Sequence, residues 1–473
     1  MDADHVCFRS QVTDSAQDAL SRPLIPDVST EDWLRASEHC SSPPAVTVVT
    51  GSPASGKSVF AKRLGNRLLT GLGKTVPPAA ATCYLDLNPA KQEYAPHGQI
   101  SLVMLRELNL CPSFTHPSTR PVGSNPDGNE MIRAHPIPAD LANYMEYYQS
   151  CIDDLFVAFQ HLQSRDPTLS LVVDTPGFLA ASVSDVLARL IARLRPHNIV
   201  HLGDVEAADG EQASILNMLY TTASQYRSTV HVISAQAPPS ATIRSQDELA
   251  MMQMQSYFHA RDSRKKLGRL STLCWTAEPL SHMKPWEMTY QQTAGRRQDF
   301  VGFSVYAEPI EARSLVHALN GSIVHIVQST SAVLPNPYTG LPRTAKYQIP
   351  YFRCNEQTAT VQPLDPRTST LVCTAMIRGF DLERRVVQLL VPTVVEPLLY
   401  LVAPERTILV SGCCNTPEWA FVEDGYAKDR AAHEGNAEVS AQDTGQPPWV
   451  MRKASVERMG YLNTVRRVRK FQT

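Results

Sequence analysis

The sequence lacks the features of membrane and secreted proteins. The 473-residue chain has no apolar run of about 18 residues, so no membrane-spanning helix is expected. Its polar, acidic start has no apolar segment typical of a secretory signal. Of the ten cysteines only Cys413 and Cys414 are adjacent, which does not fit zinc-ligand spacing. Reduced thiols and a cytosolic or nuclear location are therefore expected.

A strong excess of charge and an internal repeat are also missing. The formal net charge is −2, so any surface that binds nucleic acid would have to be local. The chain is long for a single hydrophobic core, which predicts two or three domains.

Apolar, strand-like segments alternate with helical segments between residue 45 and about residue 240. This pattern predicts an α/β fold of the P-loop NTPase type, a parallel sheet with helices on both faces. Proline-rich residues 111–140 predict a long loop within it, and strand-like segments follow after about residue 300. The predicted domains are a flexible N-terminal segment with one short helix, a P-loop domain, a β-rich C-terminal domain and a basic C-terminal tail, at 1–44, 45–300, 301–450 and 451–473.

The segment GSPASGKS fits the phosphate-loop pattern G-x-x-x-x-G-K-[ST]. It follows a β-branched strand and precedes an amphipathic helix with Phe60, Leu64 and Leu68 on one face. The glycines let backbone N–H groups point at phosphate oxygens, the lysine reaches the terminal phosphates, and the serine hydroxyl is a ligand for Mg²⁺. The sequence therefore predicts a nucleoside triphosphate site formed by Gly51, Ser52, Pro53, Ala54, Ser55, Gly56, Lys57 and Ser58.

Two aspartates stand at the ends of apolar strands. Asp174, in VVDTPGF, fits a carboxylate near Mg²⁺, whereas D-T-P-G alone would also fit a GTPase switch. No guanine-reading [NT]-K-x-D motif follows it, which argues against a regulatory GTPase. Asp86, in YLDLNP, could orient Mg²⁺ or accept a proton from an attacking hydroxyl. The alternative for Asp174 is a strand-end residue that only caps the next turn, and the alternative for Asp86 is a solvated aspartate in a turn.

Four motifs in order resemble those of the polynucleotide 5′-hydroxyl kinases, in the branch that processes ribosomal RNA. They are GSPASGKS, YLDLNPAKQEYAPHG, DTPGF and SYFH, the last being followed by WTAEPLSHMKPWEMTY. The resemblance runs from about residue 30 to the C-terminus, and the ordered set is far more specific than any single motif.

The resemblance implies an ATP-dependent kinase acting on RNA with a 5′-hydroxyl end. Lys57 and Ser58 would hold the ATP phosphates and Mg²⁺, with Asp86 and Asp174 near the metal. Asp86 would be the base that activates the 5′-hydroxyl group. The RNA end would meet a strand-end turn and an aromatic residue that stands where the family has a tryptophan, namely Thr175, Pro176, Gly177 and Phe178.

The sequence departs from the family pattern at several positions. Asn88 replaces an aspartate, Ala90 and Lys91 replace a Gly-Gln pair, and Asp174 replaces an asparagine. Ala250 stands where a lid arginine is expected, and Arg244 is the predicted substitute. About 44 residues precede the loop, so the family's N-terminal β-rich domain is not expected. These departures leave two readings open, a divergent active kinase and an ATP-binding scaffold with weak or no kinase activity.

The C-terminal tail carries seven lysines and arginines against one acid between Arg452 and Lys470. A solvated tail and an RNA-contacting tail are both compatible with this composition. In the family a similar tail docks on the endoribonuclease that cuts the pre-rRNA spacer and leaves a 5′-hydroxyl end. The resemblance thus implies that nuclease as the protein partner, a role in ribosome biogenesis in the nucleus and nucleolus, and docking through Arg466, Arg467, Arg469 and Lys470.

Overall fold

The structure is a computed structural model of the chain. It describes residues 29–71, 75–117, 128–177, 182–203, 211–236, 246–267, 270–276, 278–293, 295–307, 309–331, 334–335, 340–355, 360–415, 418–421 and 423. Within these ranges no helix has both the length and the apolar character needed to cross a membrane.

A seven-stranded sheet forms the first layer and carries the phosphate loop. In space its strands follow the order β4-β3-β2-β5-β1-β6-β7, and the five strands from β2 to β7 in that order are parallel. Its strands are β1 (Val46–Gly51), β2 (Thr82–Asp86), β3 (Gln99–Leu105), β4 (Glu130–Pro136), β5 (Leu171–Asp174), β6 (Asn198–Gly203) and β7 (Thr229–Ser234).

Helices cover both faces of this sheet, because its strands are apolar on both sides. Trp33 of α1 and Phe60 and Leu64 of α2 pack on the face that Val49 and Val172 present. The helix α3 packs on the opposite face, formed by residues such as Val48 and Val173. The helices are α1 (Glu31–His39), α2 (Lys57–Thr70), α3 (Met145–Arg165), α4 (Ser182–Leu194), α5 (Glu211–Tyr226), α6 (Gln246–His259), α7 (Leu315–Leu319) and α8 (Glu396–Leu399).

Two sequence predictions about this sheet need correction. The strand predicted at 100–105 belongs to β3, which pairs antiparallel with β2 instead of continuing the parallel order. The long loop predicted at 111–140 contains β4, which extends the sheet antiparallel to β3. Arg133 and His135 of β4 both contact Asp154 of α3, at 2.5 and 2.8 Å. Asp154 thus pairs with the polar residues of a strand that lies within the proline-rich segment predicted as a loop.

A second, mostly antiparallel sheet follows and confirms the predicted β-rich region. Its spatial order is β10-β16-β15-β12-β17-β11, with only the β11–β17 pair parallel. Its first strand, β10, precedes residue 301, and the predicted boundary itself stays a prediction. The strands of this sheet are β10 (Trp286–Thr289), β11 (Gly302–Val305), β12 (Ile323–Ser329), β15 (Ser369–Asp381), β16 (Val386–Leu390) and β17 (Thr407–Ser411). Two separate two-stranded sheets are formed by β8 (Ala260–Leu267) with β9 (Leu270–Trp275) and by β13 (Cys354–Asn355) with β14 (Thr360–Val361).

One hydrophobic cluster joins the two sheets. It contains Val48 and Val173 of the first sheet together with Val327 and Val410 of the second. The Tyr306 ring lies 5.9 Å, centroid to centroid, from both the Tyr144 and Tyr147 rings at the start of α3. The second sheet therefore packs against the helices on one face of the first sheet, and the contacting residues of both parts are buried.

Candidate functional site

The phosphate loop connects β1 to α2, as the sequence predicts. At the last residue of the loop, Gly56, φ is +96°, a left-handed conformation that residues with a side chain rarely adopt. The next residue, Lys57, begins α2, so unpaired N–H groups and the positive end of the helix dipole face the loop. The Ser55 carbonyl accepts a hydrogen bond of 3.0 Å from the Gln236 N–H, which ties the loop to the end of β7.

The N-terminal helix α1 supports the loop from outside. A Cβ atom at Gly56 would lie 3.0 Å from the Trp33 ring, so the indole rests directly on this glycine. The Trp33 Nε1–H donates to the Ser234 carbonyl at 2.8 Å, and the Arg63 guanidinium lies 5.1 Å from the centre of the Trp33 ring. The predicted short helix is thus confirmed, and it holds the phosphate loop between itself and β7.

Lys57 is buried at the base of the loop, with 6% of its surface exposed. Its ammonium donates to the Ser52 carbonyl at 2.5 Å, across the loop. Burial lowers the pKa of Lys57 to about 8; the Asp174 charge opposes this change and the Lys91 charge reinforces it. A partly desolvated cation at this place binds a phosphate more strongly than a lysine in water would.

The two predicted aspartates lie side by side. Asp86 ends β2 and Asp174 ends β5, and the two are in-register neighbours on adjacent parallel strands. Both are buried, at 0% and 1% exposure. The Asp86 carboxylate accepts hydrogen bonds from the N–H groups of Asn88 at 3.2 Å and Glu93 at 2.7 Å. The Asp174 carboxylate accepts one from the Tyr84 hydroxyl at 3.2 Å.

The surroundings of the two carboxyl groups differ. Burial raises the pKa of Asp86 well above its usual value, and the neighbouring Asp174 charge raises it further. Burial also raises the pKa of Asp174, but only to about 6, because the Ser58 hydroxyl and the Lys57 charge stabilise its ionised form. Asp174 therefore belongs to the phosphate-loop side of the site, and Asp86 lies one strand further away.

The oxygen atoms near Ser58 are compatible with Mg²⁺. Asp174 Oδ1 is buried and has no hydrogen-bond partner among the described residues, and the Ser58 hydroxyl stabilises the ionised form of the same carboxylate. Carboxylate and hydroxyl oxygens are suitable ligands for this hard cation. In the described part of the chain no group of three or more His, Cys, Asp and Glu residues could hold a metal. The metal role of Ser58, Asp86 and Asp174 stays a prediction.

The turn after Asp174 closes against the loop. The Thr175 hydroxyl donates to the Val49 carbonyl at 2.8 Å, which fixes the turn to β1. A Cβ atom at Gly177 would lie 2.7 Å from Pro53 Cα and 3.0 Å from Lys57 Nζ. Only glycine fits this close approach, so Thr175, Pro176 and Gly177 are part of the wall around the lysine. Their contact with RNA stays a prediction.

The turn after Asp86 is held by its own side chains. The Asn88 Oδ1 atom accepts a hydrogen bond of 3.2 Å from the Ala90 N–H, so this residue shapes the turn. The Gln92 side chain donates to the Asn88 carbonyl at 2.8 Å and accepts from the Ser101 hydroxyl at 2.9 Å. Half-buried Lys91 lies between these anchored residues.

A buried ion pair fixes the far end of the same turn. Glu93 contacts Lys62 of α2 and His116, each at 3.0 Å. Burial alone would raise the pKa of Glu93, but the Lys62 and His116 contacts lower it to about 2. The second motif is therefore attached to the helix that begins at the phosphate loop.

The SYFH motif ends α6, and its side chains contact other parts of the fold. The Tyr257 hydroxyl donates to the Thr374 carbonyl at 3.2 Å and accepts from the Thr374 N–H at 3.1 Å, which joins α6 to the second sheet. His259 Nε2 donates to the Glu423 carboxylate at 2.6 Å. Nearer the start of the same helix, the Ala250 carbonyl accepts a hydrogen bond of 3.0 Å from His97 Nε2.

Several predicted site residues lie outside the described part of the chain. They are the aromatic residue of the DTPGF motif, the substitute lid arginine and the basic residues of the tail, namely Phe178, Arg244, Arg466, Arg467, Arg469 and Lys470.

His201 is a site residue that the sequence reasoning missed. It faces the loop from β6, in register with Thr50, and its Nδ1 atom is buried without a partner among the described residues. Burial and, to a smaller extent, the Lys57 charge lower the pKa of His201 to about 4, so the ring is neutral near pH 7. Its place at the carboxyl end of the strand beside β1 was the available signal.

Comparisons with known proteins agree with this site. Residues 51–260 match the model of the family described as "mRNA cleavage and polyadenylation factor CLP1 P-loop". The polynucleotide 5′-hydroxyl-kinase GRC3 of Gibberella zeae is 28% identical over 457 residues, covering 91% of this chain and 59% of the relative. The enzyme of the same name from Aspergillus terreus is 28% identical over 470 residues, covering 89% and 55%. The chain thus spans somewhat more than half the length of these curated relatives.

Solved structures of Clp1p in complex with Pcf11p share the fold. Two of them have a TM-score of 0.53 at 14% identity and cover 82% of this chain and 80% of the matched chain. The predicted resemblance to the polynucleotide 5′-hydroxyl kinases and the predicted α/β fold with a β-rich second part are both confirmed.

Proposed function

Because the chain is similar to polynucleotide 5′-hydroxyl kinases over about nine-tenths of its length, we propose that it is an ATP-dependent kinase of polynucleotide 5′-hydroxyl ends. The observation that carries the proposal is the in-register pair Asp86 and Asp174 beside the phosphate loop. This pair places a second carboxylate next to the one that Ser58 and Lys57 stabilise. A kinase acting on a hydroxyl group needs such a base beside the phosphate donor.

In the proposed reaction, the loop N–H groups and Lys57 hold the triphosphate of ATP. Asp86 accepts the proton of the 5′-hydroxyl group, and its raised pKa makes it a stronger base than an aspartate in water. The 5′-oxygen then forms a bond to the γ-phosphorus while the bond to the β,γ-bridging oxygen breaks, and ADP leaves. Asp174 and Ser58 would hold Mg²⁺, which, when bound, would neutralise phosphate charge.

The test is transfer of labelled γ-phosphate from ATP to an RNA oligonucleotide with a 5′-hydroxyl end. Lys57→Ala should abolish transfer, and Asp86→Asn should lower kcat by at least about 100-fold while ATP still binds. Asp185→Asn, an exposed aspartate on α4, is the matched control and should behave as wild type. Equal transfer by wild type and Lys57→Ala would refute the proposal, and a preference for GTP over ATP in competition would favour a GTPase instead.

The more specific proposal is a role in pre-rRNA spacer processing. It is supported by the similarity to the GRC3-named kinases and by the basic composition of residues 451–473. In this proposal the chain works in the nucleolus, binds the spacer endoribonuclease through its tail, and phosphorylates the 5′-hydroxyl end that the nuclease leaves. Co-purification with that nuclease, lost when Arg466, Arg467, Arg469 and Lys470 are all changed to alanine, is the expected result.

A second candidate is an ATP-binding scaffold of the same complex with little kinase activity. It is favoured by Ala250, whose side chain cannot supply the positive charge expected at this position. ATP binding and intact nuclease activity without phosphate transfer would support the scaffold. Transfer that depends on Lys57 and Asp86 would exclude it.

A further inference from the structure

The turn between Asp86 and Glu93 brings one more charged side chain to the site. Both ends of the turn are fixed to Asp86, because the N–H groups of Asn88 and Glu93 donate to its two carboxylate oxygens. The Lys91 N–H donates to the Asn88 carbonyl at 3.2 Å, so the backbone of this lysine is part of the same anchored turn. A residue in this turn is therefore held beside the pair of aspartates.

The Lys91 charge reaches the phosphate side of the site. Burial lowers the pKa of Lys57 and the Lys91 charge acts in the same direction, whereas burial raises the pKa of Asp174 and the Lys91 charge opposes that change. The geometry agrees with this, because Asp86, which fixes the turn, pairs in register with Asp174, and the turn after Asp174 closes against Lys57. Lys91 therefore lies at the strand ends that border the phosphate loop.

The Lys91 ammonium has no hydrogen-bond or ion-pair partner among the described residues, and the side chain is half-buried. Its three N–H donors therefore remain available to a ligand. By contrast, Lys62, the next lysine along the site, is fully engaged with Glu93 and with the Cys111 carbonyl.

We propose that the Lys91 ammonium is a catalytic group that contacts the γ-phosphoryl group and stabilises its negative charge during transfer. The proposal rests on the proposed kinase function and deepens it. In the transfer step Lys91 keeps its proton and forms no covalent bond, while the 5′-hydroxyl proton passes to Asp86 and ADP leaves. Because its turn is fixed to the proposed base Asp86, this cation would lie close to both the γ-phosphate of ATP and the 5′-hydroxyl group. Ala250, at the position where a lid arginine is expected, supplies no charge.

The kinetic test compares Lys91→Met, Lys91→Arg and the exposed control Lys284→Met. Lys91→Met should lower kcat by about 100-fold or more, with KM for ATP changed by less than about threefold. Lys91→Arg keeps the charge and should retain most of the activity, and Lys284→Met should equal wild type. Unchanged kcat in Lys91→Met would overturn the proposal.

A pH series separates direct contact from an indirect effect on the aspartates. If Lys91 only helped to keep Asp174 ionised, its loss would raise the pKa of that carboxyl group, and kcat of Lys91→Met would recover at high pH. The proposal expects no such recovery at pH 9. Recovery to the wild-type value there would overturn it.

A binding measurement keeps this proposal distinguishable from the proposed kinase function. ADP with aluminium fluoride and Mg²⁺ imitates the transferring phosphoryl group, whereas ADP alone does not. Lys91→Met should weaken binding of the first probe by about tenfold or more and leave ADP binding unchanged. If Lys91→Met shows this difference while the wild-type protein phosphorylates no RNA, the kinase function is refuted and the Lys91 contact is still supported. Equal binding of the first probe by Lys91→Met and wild type would overturn the contact.

Discussion

Asp86 and Asp174 are directly opposite each other on adjacent parallel strands, with both carboxyl groups buried. Two carboxylates in this position repel each other, and each raises the energy of the other's ionised form. Activity and stability therefore make opposite demands on this pair, because the proposed reaction needs ionised carboxylates and the fold favours neutral ones.

The first prediction follows from the raised pKa of Asp174. A carboxyl group whose pKa is higher in the folded state favours folding while it is protonated, and this contribution is lost as the pH rises from about 3.8 through about 6. Asp174→Asn removes the charge and keeps the shape, so at pH 7.5 in EDTA it should raise Tm by at least about 2 °C. Phosphate transfer should be lost. The measurement is thermal unfolding by circular dichroism.

The same measurement at pH 4 supplies the internal control. There the wild-type carboxyl group is largely protonated, and the difference in Tm should shrink to about 1 °C or less. Asp185→Asn should leave Tm unchanged at both pH values. A lower Tm for Asp174→Asn at pH 7.5 would contradict the prediction.

The second prediction concerns the close approach of Gly177 to the phosphate loop. A methyl group at this position would lie 2.7 Å from Pro53 Cα and 3.0 Å from Lys57 Nζ, so the loop or the turn must move. Gly177→Ala should weaken ATP binding by about tenfold or more, because displacement of the lysine removes a charge-assisted contact. Gly295→Ala is the matched control, since nothing lies within 4 Å of its added methyl group. Isothermal titration with ATP measures both, and equal affinities would disprove the steric argument.

The third prediction concerns the buried Lys62–Glu93 ion pair. Among the described residues, Lys62→Met leaves the buried Glu93 carboxylate with His116 as its single ionic neighbour, and it should cost about 3 to 5 kcal/mol of unfolding free energy. Arg313→Met breaks an exposed pair with Glu311 and should cost less than about 1 kcal/mol. Urea unfolding at pH 7.5 gives both values. Adding Glu93→Gln to Lys62→Met should restore part of the loss, and a Lys62→Met cost equal to that of Arg313→Met would argue against the pair.

The fourth prediction tests the support that α1 gives to the phosphate loop. Trp33→Ala removes the ring beneath Gly56 and should cost about 3 to 5 kcal/mol of stability. It should also weaken ATP binding, since the loop loses one wall. Leu34→Ala changes the next residue, which is 53% exposed, and should leave both the stability and the ATP affinity close to the wild-type values. If Trp33→Ala lowered stability while ATP affinity stayed at the wild-type value, the loop would not depend on this helix.

The parts of the fold that could be predicted from the sequence are those with a local signal. The phosphate loop, α2 and the buried strands of both sheets follow from spacing and apolar runs along the chain. β4 was missed because the prolines of residues 111–140 indicated one long loop. In the fold, its polar residues Glu130, Arg133 and His135 are all paired. Their partners Arg106 and Asp154 come from other elements, and only the folded chain brings them together.

The candidate site shows the same limit. Asp86 and Asp174 could be picked out singly, as acids at the ends of strands, but their register could not. Lys91 was noticed as a departure from a family pattern, whereas its proximity to Asp174 depends on how the turn folds back over Asp86. His201 carried no motif at all, since one histidine in an apolar strand is ordinary in sequence.

The aromatic contact between Tyr306 and the two tyrosines at the start of α3 has a consequence for how this sequence can diverge. Tyr306 belongs to the second sheet region, and Tyr144 and Tyr147 belong to the first, yet all three are buried in one cluster. A change of side-chain volume on one side must be matched by a change on the other. Exchange of either half with that of a relative would have to preserve the fit of these three rings, so the two halves constrain each other's sequence.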